Sequence, residues 1–468
     1  MTVDQDPVDL SGPRLVHIVA VGGTAMSAIA RLFLQLGHVV SGSDVRDGVT
    51  LAALRREGVQ VSVGHAAENV PADAAVVVHS TAVRADNPEL QAARDRGIPV
   101  WRRSDAMAYL VARRPRAAVI SGTHGKTTTT SMVAAILTRA GMDPSYFIGG
   151  TPSGVGTNAH FDVGDWFVVE GDESDRSVLA YRRDAVIVTN IEAEHLEHWD
   201  FQFDTLVAGF AEFVDGASTR VLCVDDPVTA QLAASRPDAR TYGYAPGAHV
   251  QARDYTGRAG GAELTLVAGG EEVARLRLRL RGHDMAQNAT GAATLAHELG
   301  VSWPTIVDAL GDFAGVGRRF EYRNTFNGAD LYDDYAHTPV EIAATLARAR
   351  EGDWKRVIAV CQPHRYSRVS QHWQEYADAF VDADVVVITA LDGAFEEPIA
   401  GVDAQLVVDA VRAAHPDTPL EYLPEWDALA GVPWRAARAG DVVVTLGCGT
   451  ITDAHALWER EAERRGDR

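Results

Sequence analysis

The sequence has few of the features that mark secreted, membrane-spanning or metal-clustering proteins. It contains three cysteines, Cys223, Cys361 and Cys448, which lie far apart without a CxxC pair, so neither a disulfide framework nor a zinc site is supported. Each cysteine is expected to be a small buried side chain. No stretch approaches the roughly 20 apolar residues of a membrane-spanning helix, and the amino terminus lacks a basic segment followed by an apolar one. We therefore expect a cytoplasmic protein.

Basic residues are scarce relative to acidic ones. The chain of 468 residues has 43 Lys and Arg against 64 Asp and Glu, which gives a formal net charge of -21. Proteins that hold nucleic acid neutralise its phosphates with basic side chains, so this balance argues against such a role. We expect small-molecule partners, no nucleic acid and no membrane, for a protein that is a monomer or a homodimer.

The chain is too long for a single hydrophobic core, and about three domains are expected. Short β-branched runs alternate with longer amphipathic stretches, which is typical of βαβ units around parallel sheets. Candidate linkers lie at residues 113–116 and 315–317. Apolar residues alternate with period two between residues 250 and 281, which predicts an antiparallel insertion. The predicted fold is α/β, with domains at residues 1–113, 114–316 and 317–468.

Most of the predicted strands are followed by polar segments. In open α/β sheets, ligands bind beyond the carboxyl ends of the strands, so these polar segments are the candidate ligand-binding segments. The strand candidates are Leu15–Val21, Ala75–His79, Ala117–Ile120, Trp166–Val169, Ala185–Thr189, Arg356–Val360, Val385–Thr389 and Val442–Leu446.

One glycine-rich segment lies between a predicted strand and a predicted helix. Residues 121–128 read Ser-Gly-Thr-His-Gly-Lys-Thr-Thr. In that order, loop amides and the helix amino end can meet a triphosphate, Lys126 supplies charge, and Thr127 can bind magnesium. The segment departs from the GxxxxGK[ST] spacing because position 120 is Ile, and a chance glycine turn is the alternative. We favour nucleotide binding.

Acidic residues follow the strand candidate Trp166–Val169. Glu170, Asp172, Glu173 and Asp175 offer the hard oxygen ligands that magnesium prefers. A solvated acidic loop is the alternative interpretation. A metal site is favoured because the cluster ends a strand and follows a phosphate loop.

Two polar segments in the last third of the chain lie between predicted elements. Residues 333–339 precede a helix, and residues 362–368 follow the strand Arg356–Val360. Arg365 and Arg368 have forked donors that suit a carboxylate or a phosphoryl group. Surface salt bridges would explain the same spacing equally well.

The first strand candidate is followed by a short glycine turn and a helix start, which is a Rossmann-like outline. This outline raises a dinucleotide-dependent oxidoreductase as a rival class. The GxGxxG pattern is absent, however, because Ala20 and Ala25 occupy two of its glycine positions.

The form GTHGKTTTT resembles the phosphate loop of the Mur ligases, and the resemblance extends over most of the chain. Similar segments follow in the family's order at residues 170–175, 189–192, 195, 317–320, 333–337 and 362–368. The resemblance implies an ATP-dependent ligase of peptidoglycan synthesis that forms an amide through an acyl-phosphate. It is nearest to the branch that adds L-alanine to UDP-N-acetylmuramate.

Four departures from the family pattern leave other functions open: Ala20, Ala25, Asp284 and Thr338. One alternative is a paralogue that acts on a muropeptide or on the acid and amine of a specialised metabolite. Another is a nucleotide-regulated binding protein without turnover.

The resemblance also implies three domains, cofactors and individual roles. The amino-terminal domain is expected to be Rossmann-like and to bind the UDP-sugar, the central domain to resemble P-loop ATPases, and the Rossmann-like carboxyl-terminal domain to bind the amino acid. ATP and Mg2+ are the expected cofactors. The ATP-binding residues implied are Gly122, Thr123, His124, Gly125, Lys126, Thr127, Thr128, Asn288, Arg319 and Asp334. The implied metal ligands are Thr127, Glu170 and His195, and the implied catalytic residues are Lys126, His195, Arg319 and His364. The implied amino-acid-binding residues are Tyr335, His337, Arg365 and Arg368. The implied UDP-sugar-binding residues are Gly22, Gly23, Met26, Ser27, Asp44, Ser80 and Thr81.

Overall fold

The computed structural model describes residues 8–258, 260–394 and 396–466. Contacts divide it into two units. The first comprises the chain up to Arg253 together with Thr265–Leu276 and Gln287–Phe313. The second comprises Asp254–Leu264, Arg277–Ala286 and the chain from Ala314 onward. None of the described helices combines the length and the hydropathy needed to cross a membrane.

The amino-terminal part of the first unit is a parallel sheet with the strand order β3-β2-β1-β4-β5. Its strands are β1 (Leu15–Val19), β2 (Val39–Asp44), β3 (Gln60–Val63), β4 (Ala74–His79) and β5 (Val100–Arg102). Its helices are α1 (Thr24–Gln35), α2 (Val49–Glu57), α3 (Pro88–Asp95) and α4 (Arg103–Val111). The chain order reverses between β1 and β4, and in doubly wound sheets ligands bind at that point, beyond the carboxyl ends of the strands.

A second sheet holds the phosphate loop. Its strands are β6 (Arg116–Ser121), β7 (Ser145–Phe147), β8 (Ala159–His160), β9 (Trp166–Glu170), β10 (Ala185–Val188), β11 (Thr219–Cys223) and β12 (Arg240–Gly243). Its helices are α5 (Lys126–Arg139), α6 (Phe203–Asp215) and α7 (Pro227–Ala234). The strand order is β12-β11-β10-β6-β9-β7-β8, so β6 lies between β10 and β9. The central strands are buried along most of their length, as expected for a parallel sheet with helices on both faces.

The predicted insertion continues this sheet beyond β12 as β13 (Val250–Arg258), β14 (Gly261–Ala268) and β15 (Glu271–Leu278). The neighbouring strands β14 and β15 are joined by Gly269 and Gly270, whose positive φ angles of 60° and 88° suit a tight antiparallel hairpin. The period-two alternation therefore predicted this segment correctly. Helices α8 (His283–Glu298) and α9 (Trp303–Asp312) follow.

The third sheet lies in the second unit and has the order β16-β17-β21-β18-β19-β20. Its strands are β16 (Glu321–Phe326), β17 (Ala329–Asp334), β18 (Val357–Cys361), β19 (Val385–Thr389), β20 (Leu420–Leu423) and β21 (Val442–Leu446). Its helices are α10 (Pro339–Arg350), α11 (Tyr366–His372), α12 (Tyr376–Ala379), α13 (Ala404–Ala414), α14 (Val432–Arg435) and α15 (Ala454–Arg465). β16 pairs antiparallel with β17, and the remaining pairs are parallel.

The eight strand candidates are all strands, with ends that differ from the prediction by at most two residues. The largest difference is at β1, which ends at Val19 because Ala20 has a left-handed backbone with φ of 61°. Cys223 and Cys361 are buried as expected, whereas Cys448 is only partly buried because it lies in the loop after β21. The α/β fold class with three sheets is confirmed.

Candidate active site

The phosphate loop between β6 and α5 has a backbone that requires glycine at two positions. Gly122 and Gly125 have φ angles of 134° and 84°, in the region that side chains disfavour. A Cβ on Gly122 would overlap Thr189 Oγ1, and one on Gly125 would lie 2.5 Å from Asn288 Oδ1. The fold therefore requires glycine at both positions. The close approach at Gly125 also places Asn288, the predicted adenine contact, next to the loop.

Residues that follow β10 hold this loop in place. The amide of Thr123 donates to Asn190 O at 3.0 Å, and the amide of His124 donates to Asn190 Oδ1 at 2.8 Å. Thr189 Oγ1 donates to His124 O at 2.6 Å. The helix α5 begins directly behind the loop at Lys126, so its amino end and positive dipole face the place where an anion would lie.

Lys126 is held by its own chain. Its Nζ donates to Gly122 O, to Thr123 O at 3.0 Å and to Glu173 Oε1 at 2.9 Å. Burial acts to lower the pKa of Lys126, but the charges of Glu173 and two neighbouring carboxylates outweigh it and raise that pKa. An ammonium has three donors, so an incoming phosphate must replace at least one of these partners. The partner Glu173 was not identified as such from the sequence.

Thr127, at the start of α5, and Glu170, at the end of β9, bring two potential metal-ligand oxygens together. Thr127 Oγ1 lies 3.0 Å from Glu170 Oε1, and the amide of Gly149 donates to Glu170 Oε2 at 2.7 Å. Magnesium typically takes one or two protein oxygens and completes its shell with water and substrate phosphates. The pair fits that pattern, although no cluster of three or more His, Cys, Asp or Glu side chains suited to a metal occurs within the described residues.

The other three carboxylates of the acidic cluster are paired with basic side chains. Asp172 and Asp175 accept hydrogen bonds from Arg103 at 2.9 and 3.0 Å, and Glu173 pairs with Lys126. Burial raises the pKa of Glu173 to about 7, although Lys126 opposes that rise. Three of the four carboxylates therefore neutralise basic side chains, and Glu170 is the one that lies against Thr127.

His195 lies in a left-handed backbone conformation, with φ of 54°, at the start of a short 3-10 turn. Burial lowers its pKa, and the nearby Glu194 and Glu197 act in the opposite direction. A lowered pKa leaves the imidazole neutral at neutral pH, as a metal ligand must be. Because β10 is parallel to β6, the segment that carries His195 leaves the same carboxyl edge of the sheet as the phosphate loop.

The two glycines of the amino-terminal turn differ in how much space surrounds them. The amide of Gly22 donates to Asp44 Oδ2 at 2.9 Å, and a Cβ on Gly22 would lie 2.8 Å from that oxygen. Gly23 is the N-cap of α1, and a Cβ there would meet only Ala20 O, at 3.7 Å. Gly22 is therefore needed for the turn itself, whereas Gly23 leaves space above it.

The other residues implied in UDP-sugar binding are distributed unevenly around this turn. Met26 and Ser27 are buried within α1, where Ser27 Oγ donates to Thr24 O at 3.0 Å. The amide of Ser27 is also occupied, because it donates to Gly23 O at 2.9 Å. Ser80 and Thr81 follow β4, at the point where the chain order reverses, so the topology places them beside the glycine turn.

In the second unit, four of the implied site residues lie together. The guanidinium of Arg319 is 5.1 Å from the ring centre of Tyr335, whose ring is 5.5 Å from that of His337. The rings of His337 and His364 are 6.3 Å apart. Burial lowers the pKa of His337 to about 4 and also lowers that of His364, so both imidazoles are neutral at pH 7.

Asp334, at the end of β17, has a carboxylate that accepts three hydrogen bonds from the protein. It accepts from the amides of Phe320 at 2.7 Å and Ala336 at 2.8 Å, and from Arg348 Nη1 at 3.4 Å. Burial raises its pKa. Arg348 also pairs with Asp284, so this departure from the family pattern neutralises a buried arginine.

The two arginines of the segment 362–368 differ in their surroundings. Arg365 Nε donates to Glu396 Oε1 at 2.6 Å, and Ser367 Oγ donates to the same oxygen. Arg368 Nη1 donates to His364 O at 3.5 Å. The ion pair of Arg365 was missed because Glu396 lies on a separate loop.

The departure at Thr338 also has a local explanation. Its hydroxyl accepts from the amide of Glu341, while Glu341 Oε2 accepts from the amide of Thr338 at 3.2 Å. The pair is a capping box that starts α10. The sequence pattern T-x-x-E at the start of a helix is typical of this arrangement.

Comparisons with known proteins agree with this geometry. Three family profiles match the chain: "Mur ligase family, catalytic domain" at residues 15–115, "Mur ligase middle domain" at residues 120–296, and "Mur ligase, glutamate ligase domain" at residues 318–449.

Full-length relatives give a consistent result. The UDP-N-acetylmuramate–L-alanine ligase of Bradyrhizobium sp. strain BTAi1 is 44% identical over 454 residues, which cover 94% of this chain and 96% of the relative. The enzyme of that name from Brucella anthropi is 44% identical over 463 residues, which cover 96% and 98%.

Among solved structures, the UDP-N-acetylmuramate–alanine ligase of Thermotoga maritima superposes with a TM-score of 0.83 at 26% identity, covering 97% of this chain and 99% of that one. A murein peptide ligase from Psychrobacter arcticus shares the fold, with a TM-score of 0.72 at 23% identity over 97% of this chain and 99% of that one. Matched along nearly its whole length by the family's profiles and by its relatives, this chain belongs to the Mur ligase family.

Proposed function

We propose that this protein joins L-alanine to UDP-N-acetylmuramate at the expense of ATP, as a step of peptidoglycan synthesis. The observation that carries the proposal is the phosphate loop with Thr127 Oγ1 3.0 Å from Glu170 Oε1, in a chain that is 44% identical to ligases of that name over almost its full length. ATP and UDP-sugars are cytoplasmic metabolites, so we assign the protein to the cytoplasm.

Amide formation from a carboxylate in water needs an activated acyl group. Transfer of the γ-phosphoryl group to the carboxylate gives an acyl-phosphate, and the amine then displaces phosphate from the carbonyl carbon. Lys126 supplies the positive charge that stabilises the negative charge developing on the transferred group. Because Lys126 is paired with Glu173, we propose that it exchanges this partner for phosphate oxygens when ATP binds.

Thr127, Glu170 and His195 are the residues proposed to hold magnesium. Bound there, the metal would neutralise the phosphates and the substrate carboxylate that must approach each other. The support is the contact between Thr127 and Glu170, and the neutral imidazole of His195 at the same carboxyl edge of the sheet.

The second unit contributes groups for the transferred phosphoryl group and for the amine. Arg319 and His364 are proposed to serve the phosphoryl group, and Tyr335, His337 and Arg368 the amino acid. A neutral His337 can accept a proton from the attacking ammonium, which must lose one before it is a nucleophile. Arg365 is proposed to bind the carboxylate of the amino acid while it keeps its ion pair with Glu396.

The amino-terminal sheet is proposed to bind the UDP-sugar at the glycine turn. Open space above Gly23 and the amino end of α1 provide room and unpaired amides for a diphosphate. We also propose domain boundaries near residues 113 and 316. Each of the three domains would then bind one substrate: the UDP-sugar, ATP or the amino acid.

A substrate panel tests the proposal. Purified protein is incubated with ATP and magnesium, and phosphate release is measured for defined acid and amine pairs. Release with UDP-N-acetylmuramate plus L-alanine, and formation of the expected amide by mass spectrometry, supports the proposal. Release only with a muropeptide or another acid and amine pair would assign the chain to a paralogous ligase. No release with any pair would indicate a nucleotide-binding protein without turnover.

A further inference from the structure

The loop that carries Arg319 is held in a strained conformation. Arg318 and Phe320 have φ angles of 58° and 52°, so two bulky residues in the left-handed region lie on either side of Arg319. This backbone conformation is unfavourable for residues other than glycine, and it persists only where the surrounding contacts hold it. The contacts that hold this loop therefore bear on the placement of Arg319.

Asp333 is the buried anchor on the Arg318 side. Its side chain has 0% exposure, and it accepts from Arg318 Nε at 3.1 Å. It also accepts from Thr445 Oγ1 and Thr452 Oγ1, each at 2.7 Å. The carboxylate is thus fixed by β21 and by the 3-10 turn that follows it, and Arg318 docks onto a rigid partner.

Arg318 is held at several points besides Asp333. Its Nη2 donates to Gly447 O at 2.6 Å, and its own amide donates to Glu321 Oε2 at 2.9 Å. Its carbonyl oxygen accepts from the amide of Tyr335 at 2.7 Å. Both the side chain and the backbone of Arg318 are therefore tied to the sheet.

Phe320 anchors the other side of the loop. Its amide donates to Asp334 Oδ2 at 2.7 Å, and its ring stacks on Tyr332 with a centroid distance of 4.5 Å. Arg319 lies between these two anchors. Within the described part of the chain its guanidinium has no hydrogen-bond or ion-pair partner, and it contacts the ring of Tyr335.

We propose that Asp333 is a positioning residue for ligation: its ion pair with Arg318 holds the strained loop that presents the guanidinium of Arg319 to the transferred phosphoryl group. Asp333 does not touch the substrate in this account. The inference rests on the proposed function, because it assumes that Arg319 acts on the phosphoryl group.

A double-mutant cycle tests whether Asp333 acts through Arg319. We expect Asp333→Asn to lower kcat about tenfold or more, since small displacements of a catalytic group are costly, while the KM values for all three substrates stay within about threefold. In an Arg319→Met background, the same change should lower the residual kcat by less than about threefold. Equal factors in both backgrounds, or full activity of Arg319→Met, would overturn the proposal.

A matched control lies at the opposite end of the same sheet. Asp441 is also buried and pairs with Arg356, with Asp441 Oδ2 2.6 Å from Arg356 Nη2, but it precedes β21 at the amino edge of the strands. Asp441→Asn should leave kcat unchanged. If Asp333→Asn does not fold, Arg318→Lys replaces it in the cycle, because an ammonium cannot reach both Asp333 and Gly447 O.

Hydrogen exchange gives a readout that needs no substrate. The amides of Phe320 and Tyr335 close the loop, so Asp333→Asn should speed their exchange about tenfold or more, and Asp441→Asn should not. Unchanged exchange at both amides would overturn the proposal. Failure of the wild type to release phosphate with any pair would instead refute the proposed function, and the exchange result would still decide the role of Asp333.

Discussion

Lys126 Nζ lies 2.9 Å from Glu173 Oε1, so the lysine of the phosphate loop is paired with a buried carboxylate of its own chain. Glu173 has 3% exposure, and burial raises its pKa to about 7. The pair keeps a lysine charged in a buried place before any phosphate arrives. Under the proposed function, nucleotide binding would exchange one anionic partner for another, so the net gain in electrostatic energy would be smaller than for an unpaired lysine.

Replacing Lys126 by methionine should reduce ligation about a hundredfold or more, because it removes a charge directed at the transferred group. The fold should persist, since methionine keeps most of the side-chain volume. The measurement is phosphate release under saturating substrates, with circular dichroism as the check on folding. Lys355, the only other lysine in the chain, provides the matched control, and Lys355→Met should be fully active. Near-normal turnover by Lys126→Met would reject the assignment of this loop.

Replacing Glu170 by glutamine should shift the magnesium dependence of ligation to higher concentrations, by about tenfold. The reason is that an amide oxygen carries no charge, while Thr127 and Gly149 keep their positions next to it. The measurement is ligation rate against magnesium concentration at fixed ATP. Glu271→Gln, which alters an exposed carboxylate on β15, should leave the midpoint unchanged. If Glu170→Gln does not shift the magnesium concentration at half-maximal rate, Glu170 has a structural role and does not bind the metal.

Replacing Gly23 by valine should weaken binding of UDP-N-acetylmuramate strongly and leave ATP binding almost unchanged. A side chain fits at this N-cap without a clash in the protein, so the effect would come from blocking the approach of the diphosphate. Isothermal calorimetry measures both affinities. Gly48, the N-cap of α2, also has open space around it, and Gly48→Val should bind both ligands normally. Equal UDP-sugar affinities in the two variants would place that site elsewhere.

The buried Glu89 predicts a specific dependence of stability on pH. Burial acts to raise its pKa, but hydrogen bonds from His17, Ser43 and Asn69 outweigh it and lower the pKa to about 2. A carboxylate with a lowered pKa stabilises the folded state above its unfolded pKa, near 4.5, and that stability is lost as the pH falls toward 2.

The comparison of wild type with Glu89→Gln isolates the contribution of the ionised Glu89 carboxylate to stability. The difference in their free energies of unfolding should be constant above about pH 4.5 and should shrink by about 1.4 kcal/mol per pH unit below it. Denaturant titrations at several pH values measure the difference. The exposed Glu271→Gln serves as the control and should follow the wild type. A pH-independent difference would mean that folding does not lower the pKa of Glu89.

Much of the fold was predictable because its signals are local. Eight strands, which include strands of all three sheets, were recognised from short β-branched runs, and the insertion from a period of two. In those eight strands the errors lie at the ends, as at Ala20, where a single left-handed residue ends β1. Short strands that are not fully buried, such as β3, β5 and β20, were not predicted. The glycines of the phosphate loop were also recognised, although the sequence could not say that Gly122 faces Thr189 and Gly125 faces Asn288.

The sequence by itself determined the order of the elements, the phosphate loop and the segments that hold the chemistry, because hydrophobic periodicity and the spacing of glycine, lysine and hydroxyl residues act over a few neighbouring positions. Only the tertiary structure decided which charged groups are partners. Arg103 neutralises Asp172 across 69 positions of chain, and Arg318 meets Gly447 O across 129. Such pairings depend on which strands become neighbours in a sheet, and the cost of burying an unpaired charge then selects the partners. For that reason an acidic cluster that looked like one metal site separated into ion pairs with Arg103 and Lys126 and a single carboxylate, Glu170, left beside Thr127.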